Sequence, residues 1–240
     1  MAAPMPDEPG SETQAVRERY ARRVAQDPRY SLLNPAALLA LQERQRAMLR
    51  LFKRLGWTDL SARTLLEVGC GTGSNLLECL LIGFVPEHLA GIELLEERHA
   101  LARRRLPQEV TLRQGDATAL GIAPASHDVV LQATVFSSLL DDAFQQRLAD
   151  TMWAAVKPGG GVLWYDFTVD NPRNRDVRGV PLARVKALFP QAHITAERLT
   201  LAPPLERAVT QLHPVLYGLF NILPVLLTHL LCWIAKRAED

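Results

Sequence analysis

Thr64 to Asn75 reads TLLEVGCGTGSN. An apolar run from Leu65 to Val68, interrupted by the single acid Glu67, stops at Gly69; Gly71 and Gly73 follow, and a helix-compatible segment, SNLLECLLIGF, begins at once. A strand that turns through glycines into a helix N-terminus brings backbone N–H groups up to a ligand. Nucleotides, dinucleotides and other nucleosides all use that device, so the glycines set a fold class and leave the ligand open.

Outward from this turn, strands and helices alternate. Strands are expected near 64–68, 89–93, 110–113, 128–132, 161–167, 192–200 and 229–235, with helices near 74–83, 95–105, 141–155, 181–188 and 205–222. Such alternation predicts an α/β fold: a doubly wound, Rossmann-like sheet of seven strands with helices on both faces. Each of the first five strands is followed by a connection long enough for a parallel crossover, whereas the last two are joined differently. Upstream, 18–56 reads as helix broken at DPRY and NP, because proline interrupts a helix and disfavours it one residue earlier. Three regions follow: a disordered tail over 1–14, an N-terminal helical cover over 15–57 carrying Tyr20 and Tyr30 to the ligand, and the ligand-binding domain over 58–240.

Composition narrows the function. With 240 residues, 48% of them hydrophobic, the chain can bury one large core. Its 27 basic and 26 acidic residues give a net charge of +1, which provides no broad cationic footprint for nucleic acid. Cys70, Cys79 and Cys232 are too scattered for a disulfide framework or a zinc site and are expected as reduced thiols in a cytoplasmic protein. No metal site is expected: Asp141 and Asp142 follow a strand, where adjacent acids start a helix. The apolar stretch 212–237 carries Pro214, Pro224, His213 and His229, which argue against a membrane span and for a short helix followed by a buried strand. Leu216, Tyr217, Leu219 and Phe220 of that helix are candidates for core packing, for the acceptor pocket, or for peripheral contact with a membrane.

The charges at the strand ends identify the ligand. Glu67 lies at the mouth of the glycine turn, where a carboxylate repels phosphate and attracts an ammonium group. Glu93 closes the second strand 20 residues after Gly73, the place of an acid that accepts from ribose hydroxyls. Asp116, after the third strand, is placed to accept from a purine amine. Amine, ribose and adenine without phosphate describe S-adenosylmethionine, while an NAD enzyme is disfavoured by Glu67 and by Ser74 in place of a third GxGxxG glycine.

In this order and spacing, LLEVGCGTGSN, GIELLEE, GDATAL, HDVVLQATVFSSL and VKPGGGVLWYDF resemble the class I S-adenosylmethionine-dependent methyltransferases. The resemblance implies that Glu67, Gly69 and Gly71 border the methionine end, Glu93 holds the ribose, Asp116 and Ala117 border the adenine, and Gln132 lines the cofactor. Cys70, Asn75 and Leu94 complete the implied contacts, with Tyr30 from the cover. RYSLLNPAALLALQERQRAMLRLF and WYDFTVDNPRNRDVRGV further resemble a bacterial subgroup associated with polysaccharide or surface-glycan biosynthesis, which implies a sugar hydroxyl, free or lipid-linked, as acceptor.

Phe136 after the fourth strand, and Asn171, Arg173 and Arg178 after the fifth, are the expected acceptor contacts; the arginines fit an acidic acceptor or a solvated loop equally. Transfer from a sulfonium needs in-line positioning, and a hydroxyl acceptor also gains from a general base. Asp166 is the first candidate, with His229 and His213 behind it, and each also fits a structural hydrogen-bonding role. The competing functions are methylation of a secondary metabolite or quinone, and binding of S-adenosylmethionine without catalysis.

Overall fold

In a computed structural model, residues 11–22, 28–172 and 174–238 are described, with Tyr30 described by its backbone alone. Arg173, the side chain of Tyr30 and the first ten residues of the expected tail lie outside them. Seven strands form one sheet: β1 Leu65–Val68, β2 Leu89–Glu93, β3 Thr111–Gln114, β4 His127–Ala133, β5 Val156–Phe167, β6 His193–Leu201 and β7 Leu227–Ala235, in the order β3-β2-β1-β4-β5-β7-β6. β1 to β5 are parallel, and β7 runs antiparallel between β5 and β6. Helices α1 Glu12–Ala21, α2 Pro35–Arg54, α3 Ser74–Leu81, α4 Glu96–Arg105, α5 Asp142–Ala155, α6 Leu182–Leu188, α7 Pro203–Leu212 and α8 Val215–Phe220 complete it.

Side chains alternate across the sheet, so each face has its own core. One core gathers Met48, Leu51 and Phe52 of α2 and Leu76 and Cys79 of α3 over Leu65, Leu131, Leu163 and Trp233. The other packs Leu148 and Met152 of α5, with Val185 of α6, against Val68, Val130, Trp164 and Ile234. Helix α2 therefore packs as a layer over the sheet, whereas α1 lies at the sheet's carboxyl end.

Two expectations change in detail. The KPGGG segment is strand, since β5 starts directly at Val156 after α5; a Cβ on Gly161 would come within 2.5 Å of the Trp233 ring, so the close crossing of β7 needs glycine there. The single helix expected over 205–222 is two, α7 and α8, because His213, preceding Pro214, is extended at φ −165°, ψ 131°. Among the described residues no helix is long and apolar enough to cross a membrane. Tyr217 is buried, Leu216 and Phe220 pack beside it, and Leu219 is exposed together with Val215, Ile222 and Val225.

Candidate cofactor and acceptor site

Gly69, Gly71 and Gly73 all take left-handed φ, of 70°, 57° and 80°. At Gly69 a Cβ would lie 2.5 Å from Val135 and at Gly73 2.7 Å from Leu106, so these turns need glycine for space as well as conformation. Glu93 ties the turn to β2: its Oε2 accepts from Gly71 N at 2.7 Å and its Oε1 from Leu95 N at 2.9 Å. Asp116 turns the chain after β3 by accepting from the N–H and hydroxyl of Thr118 at 2.8 and 2.9 Å, both on Oδ1.

Glu67 is fully buried at the end of β1. Asn75 Nδ2 donates to its Oε1 at 2.5 Å, and its Oε2 has no partner among the described residues. Burial pushes this acid up to about 8, with the Asn75 bond and the Arg44 charge opposing. A buried carboxyl with one unmatched oxygen beside a glycine turn is completed by an ammonium group. S-adenosylmethionine carries one, together with ribose hydroxyls and an adenine amine for which Glu93 and Asp116 would be the acceptors. The residues present therefore fit that cofactor.

Helix α1 spans the same edge. Arg17 donates to Leu94 O at 3.1 Å, Arg19 to Ser138 O at 2.6 Å, and Glu12 accepts from Leu140 N at 2.7 Å. Tyr20 lies under the Arg98 guanidinium, 5.0 Å from ring to carbon, and Arg98 in turn packs over Gly71. Residues after β2 and β4 are thus bridged by one helix, which brings Tyr20 to the glycine turn.

Three expected cofactor contacts turn their side chains into the packing of the strand ends. Gln132 is fully buried and fastens the β4 tip, accepting from Val135 N at 3.1 Å and donating to Tyr165 O at 3.4 Å. Cys70 turns its thiol inward onto Gly91, where a Cβ would meet Sγ at 2.8 Å. Ala117 is buried in the core next to Leu120 and Ile122. A small or amide side chain just beyond a strand serves the packing of the turn as well as it serves a ligand, and here packing takes it.

On the acceptor side, Phe136 is fully buried with its ring 4.4 Å from Trp164, so it belongs to the core and not to a pocket wall. Arg178 pairs with Asp142, and Arg184 approaches the same carboxylate at 3.5 Å. Asn171 is exposed in the loop after β5. Asp141 caps α5 by accepting from Phe144 N at 2.5 Å, the helix-start role expected of it.

The candidate bases face opposite ways. Phe167 pairs with His229 and Asp166 with Leu230, so His229 shares the face of Tyr165 and Glu67 while Asp166 lies on the other. Asp166 has no exposed surface, its oxygens accept from Ser137 N at 3.1 Å and Phe167 N at 3.0 Å, and burial pushes it up to about 7. His229 stacks on Tyr165 at 5.0 Å, and burial, with the Arg44 charge, lowers it to about 4, so the ring is neutral. His213 caps α8 at the surface, accepting from Val215 N at 3.2 Å.

Residues absent from the sequence reading complete the site. Arg44 of α2 donates to Asn75 Oδ1 and Glu78 Oε1, each at 2.7 Å, and lies 5.1 Å over the Tyr165 ring. With Met48, Ala133 and Leu231 these groups line a small cavity at the ends of β4 and β5. The neighbouring Glu43 accepts from Thr200 N, Tyr217 Oη and Asn221 Nδ2 at 3.1, 2.6 and 2.7 Å. Glu43 had a legible signal, since it interrupts the stripe Ala36, Ala47, Leu51 that α2 buries. Arg44 had none.

The strand order, the reversed β7 and the glycine turn define the class I methyltransferase fold. Residues 65–160 match the family model described as a methyltransferase domain. Over those residues the chain resembles a methyltransferase domain. Among curated proteins, it is 34% identical over 131 residues to malonyl-[acyl-carrier protein] O-methyltransferase of Haemophilus ducreyi, covering 52% of this chain and 49% of that one. It is 29% identical over 104 residues to an uncharacterized methyltransferase of Bacillus cereus, covering 43% and 46%. The chain thus spans about half the length of the curated relatives it matches. In structure it resembles geranyl diphosphate C-methyltransferase of Streptomyces coelicolor, with TM-score 0.64, 14% identity and 96% and 99% coverage. Phosphoethanolamine N-methyltransferase 2 of Haemonchus contortus gives TM-score 0.62 and 16% identity, covering 96% and 61%.

Proposed function

We propose that the chain is a working methyltransferase that moves the methyl group of S-adenosylmethionine to a hydroxyl of a small-molecule acceptor. The observation that carries this is the buried Oε2 of Glu67, which lacks a partner among the described residues at the strand end that leads into the glycine turn. Glu67 holds the cofactor's ammonium group, Glu93 accepts from its ribose, and Asp116 accepts from the adenine amine. The bound sulfonium supplies an already activated methyl group, so the chain's task is alignment and removal of one proton.

His229 is the residue we assign to that proton. Its ring is neutral, lies on the Glu67 face of the sheet and stacks on Tyr165, which borders the Arg44 cavity. Asp166 is better explained as the fastener of the turn after β4, because it has no exposed surface, lies on the opposite face of the sheet from Glu67 and accepts from Ser137 N. A glycan-type or lipid-linked acceptor is supported by the resemblance of two segments, and peripheral contact with lipid by exposed Leu219, Ile222 and Val225. A cytoplasmic location is supported by three cysteines that are all free.

Incubation with methyl-labelled cofactor and a panel of hydroxyl, carboxyl, amine, prenyl diphosphate and glycan acceptors tests the assignment. Label transferred to a hydroxyl compound, and lost in His229→Phe while cofactor binding persists, is the expected result. Label found on nitrogen or carbon, or turnover unaffected in His229→Phe, would remove the reading of the acceptor or of the base respectively.

A further inference from the structure

Three buried polar atoms without a partner among the described residues, Glu67 Oε2, Glu78 Oε2 and Arg44 Nε, belong to one connected group. Its links are Asn75 Nδ2 to Glu67 Oε1 at 2.5 Å, Arg44 Nη2 to Asn75 Oδ1 at 2.7 Å, and Arg44 Nη2 to Glu78 Oε1 at 2.7 Å. The Asn75 amide stands between a carboxyl and a guanidinium, with its donor turned to the first and its acceptor to the second.

Glu67 alone does not fix that amide. Burial raises the acid enough for it to hold a proton near neutrality, and a protonated acid can donate to an amide oxygen as readily as an ionised one accepts from the nitrogen. The guanidinium has no such choice: it carries only donors and no acceptor. A cation on Oδ1 therefore locks the nitrogen onto Glu67 and, against the larger effect of burial, favours the ionised carboxylate. Arg44 itself is held by Glu78 and by the Tyr165 ring at 5.1 Å, and the helix that carries it is anchored by Glu43 to Thr200, Tyr217 and Asn221.

We propose that Arg44 is a positioning residue for cofactor binding: by fixing the Asn75 amide it orients Glu67, so that Oε1 is occupied and Oε2 is presented to the cofactor's ammonium group. Arg44 acts through Asn75 and does not itself bind the cofactor. The inference rests on the reading of Glu67 as the ammonium partner. It also connects the methyl-donor site to the C-terminal unit of β6, α7 and α8, since α2 carries both Glu43 and Arg44.

The test is titration calorimetry on the full chain with two probes, S-adenosylmethionine and decarboxylated S-adenosylmethionine, which keeps the amine and lacks the carboxylate. Arg44→Met is expected to weaken both by the same factor, about tenfold or more, the scale of a lost hydrogen bond to a charged group. In an Asn75→Ala background the same change is expected to do little, and Arg44→Lys, which keeps a cationic donor, is expected to recover much of the loss. A loss confined to the carboxylate-bearing probe would make Arg44 a direct ligand and overturn the proposal. Unchanged binding of both probes, or a full loss added on top of Asn75→Ala, would overturn it too. Should Arg44→Met not fold, Arg44→Lys carries the comparison, since any loss must be equal for the two probes and disappear without Asn75. Wild-type protein that binds neither probe would instead refute the cofactor reading itself.

Discussion

Glu93 accepts a hydrogen bond from the backbone N–H of Gly71 at 2.7 Å, joining the end of the second strand to the turn after the first. One carboxylate thereby shapes the glycine turn and, in the proposed function, also accepts from the ribose. Replacement by alanine orphans the buried amide of Gly71 and the half-buried amide of Leu95, so Glu93→Ala is expected to weaken cofactor affinity by roughly 1.5–3 kcal/mol and to lower stability as well. Calorimetry and a denaturant titration of the same variant check both. A change in only one of them would mean that the two roles are separable.

Glu67 makes binding depend on pH. Its folded value, raised from 4.5 to about 8, means that this group's contribution to stability is fully present below 4.5 and is lost as pH rises through 8. An ammonium ligand favours the ionised form, so at pH 7 binding should release a proton and at higher pH, towards 8, it should tighten. Calorimetric heats at pH 7 should differ between buffers of different protonation enthalpy, and Glu67→Gln should abolish the part due to this group. Equal heats for the wild type would mean that Glu67 is already ionised.

Deleting residues 1–22 removes the contacts of Arg17, Arg19 and Glu12 with Leu94, Ser138 and Leu140. The sheet and α2 remain, so the truncated chain is expected to fold and to release cofactor faster. Stopped-flow displacement measures this, and an unchanged off-rate would mean that α1 does not cover the cofactor.

Tyr217→Phe removes a 2.6 Å hydrogen bond to the buried Glu43 and is expected to cost about 1–3 kcal/mol in stability. Phe220→Ser should also lower the melting temperature, because Phe220 packs with Leu201, Val209 and Tyr217. Thermal unfolding checks both. An unchanged melting temperature with lost turnover would move Phe220 to the acceptor site.

What the sequence by itself determined was local: the strands and helices, the glycine turn, and the acids at strand ends. In a parallel sheet the residues at each strand's carboxyl end come to one edge wherever the strand lies, so the placement of Glu67, Glu93 and Asp116 along that edge was legible from the sequence. Only the tertiary structure decided which way neighbouring side chains face. Asp166 and His229 looked like alternatives for one role, yet the two-residue period of β5 and its pairing with β7 put them on opposite faces. Cys70, Gln132 and Phe136 carry no mark that separates a ligand contact from a packing residue, and the crowding at Gly91, Val135 and Trp164 turns them inward. Arg44 lies 31 residues before the Asn75 it bonds. Its arrival there depends on where α2 packs over β6 and β7, which is fixed by burial and the Glu43 bonds rather than by any local spacing.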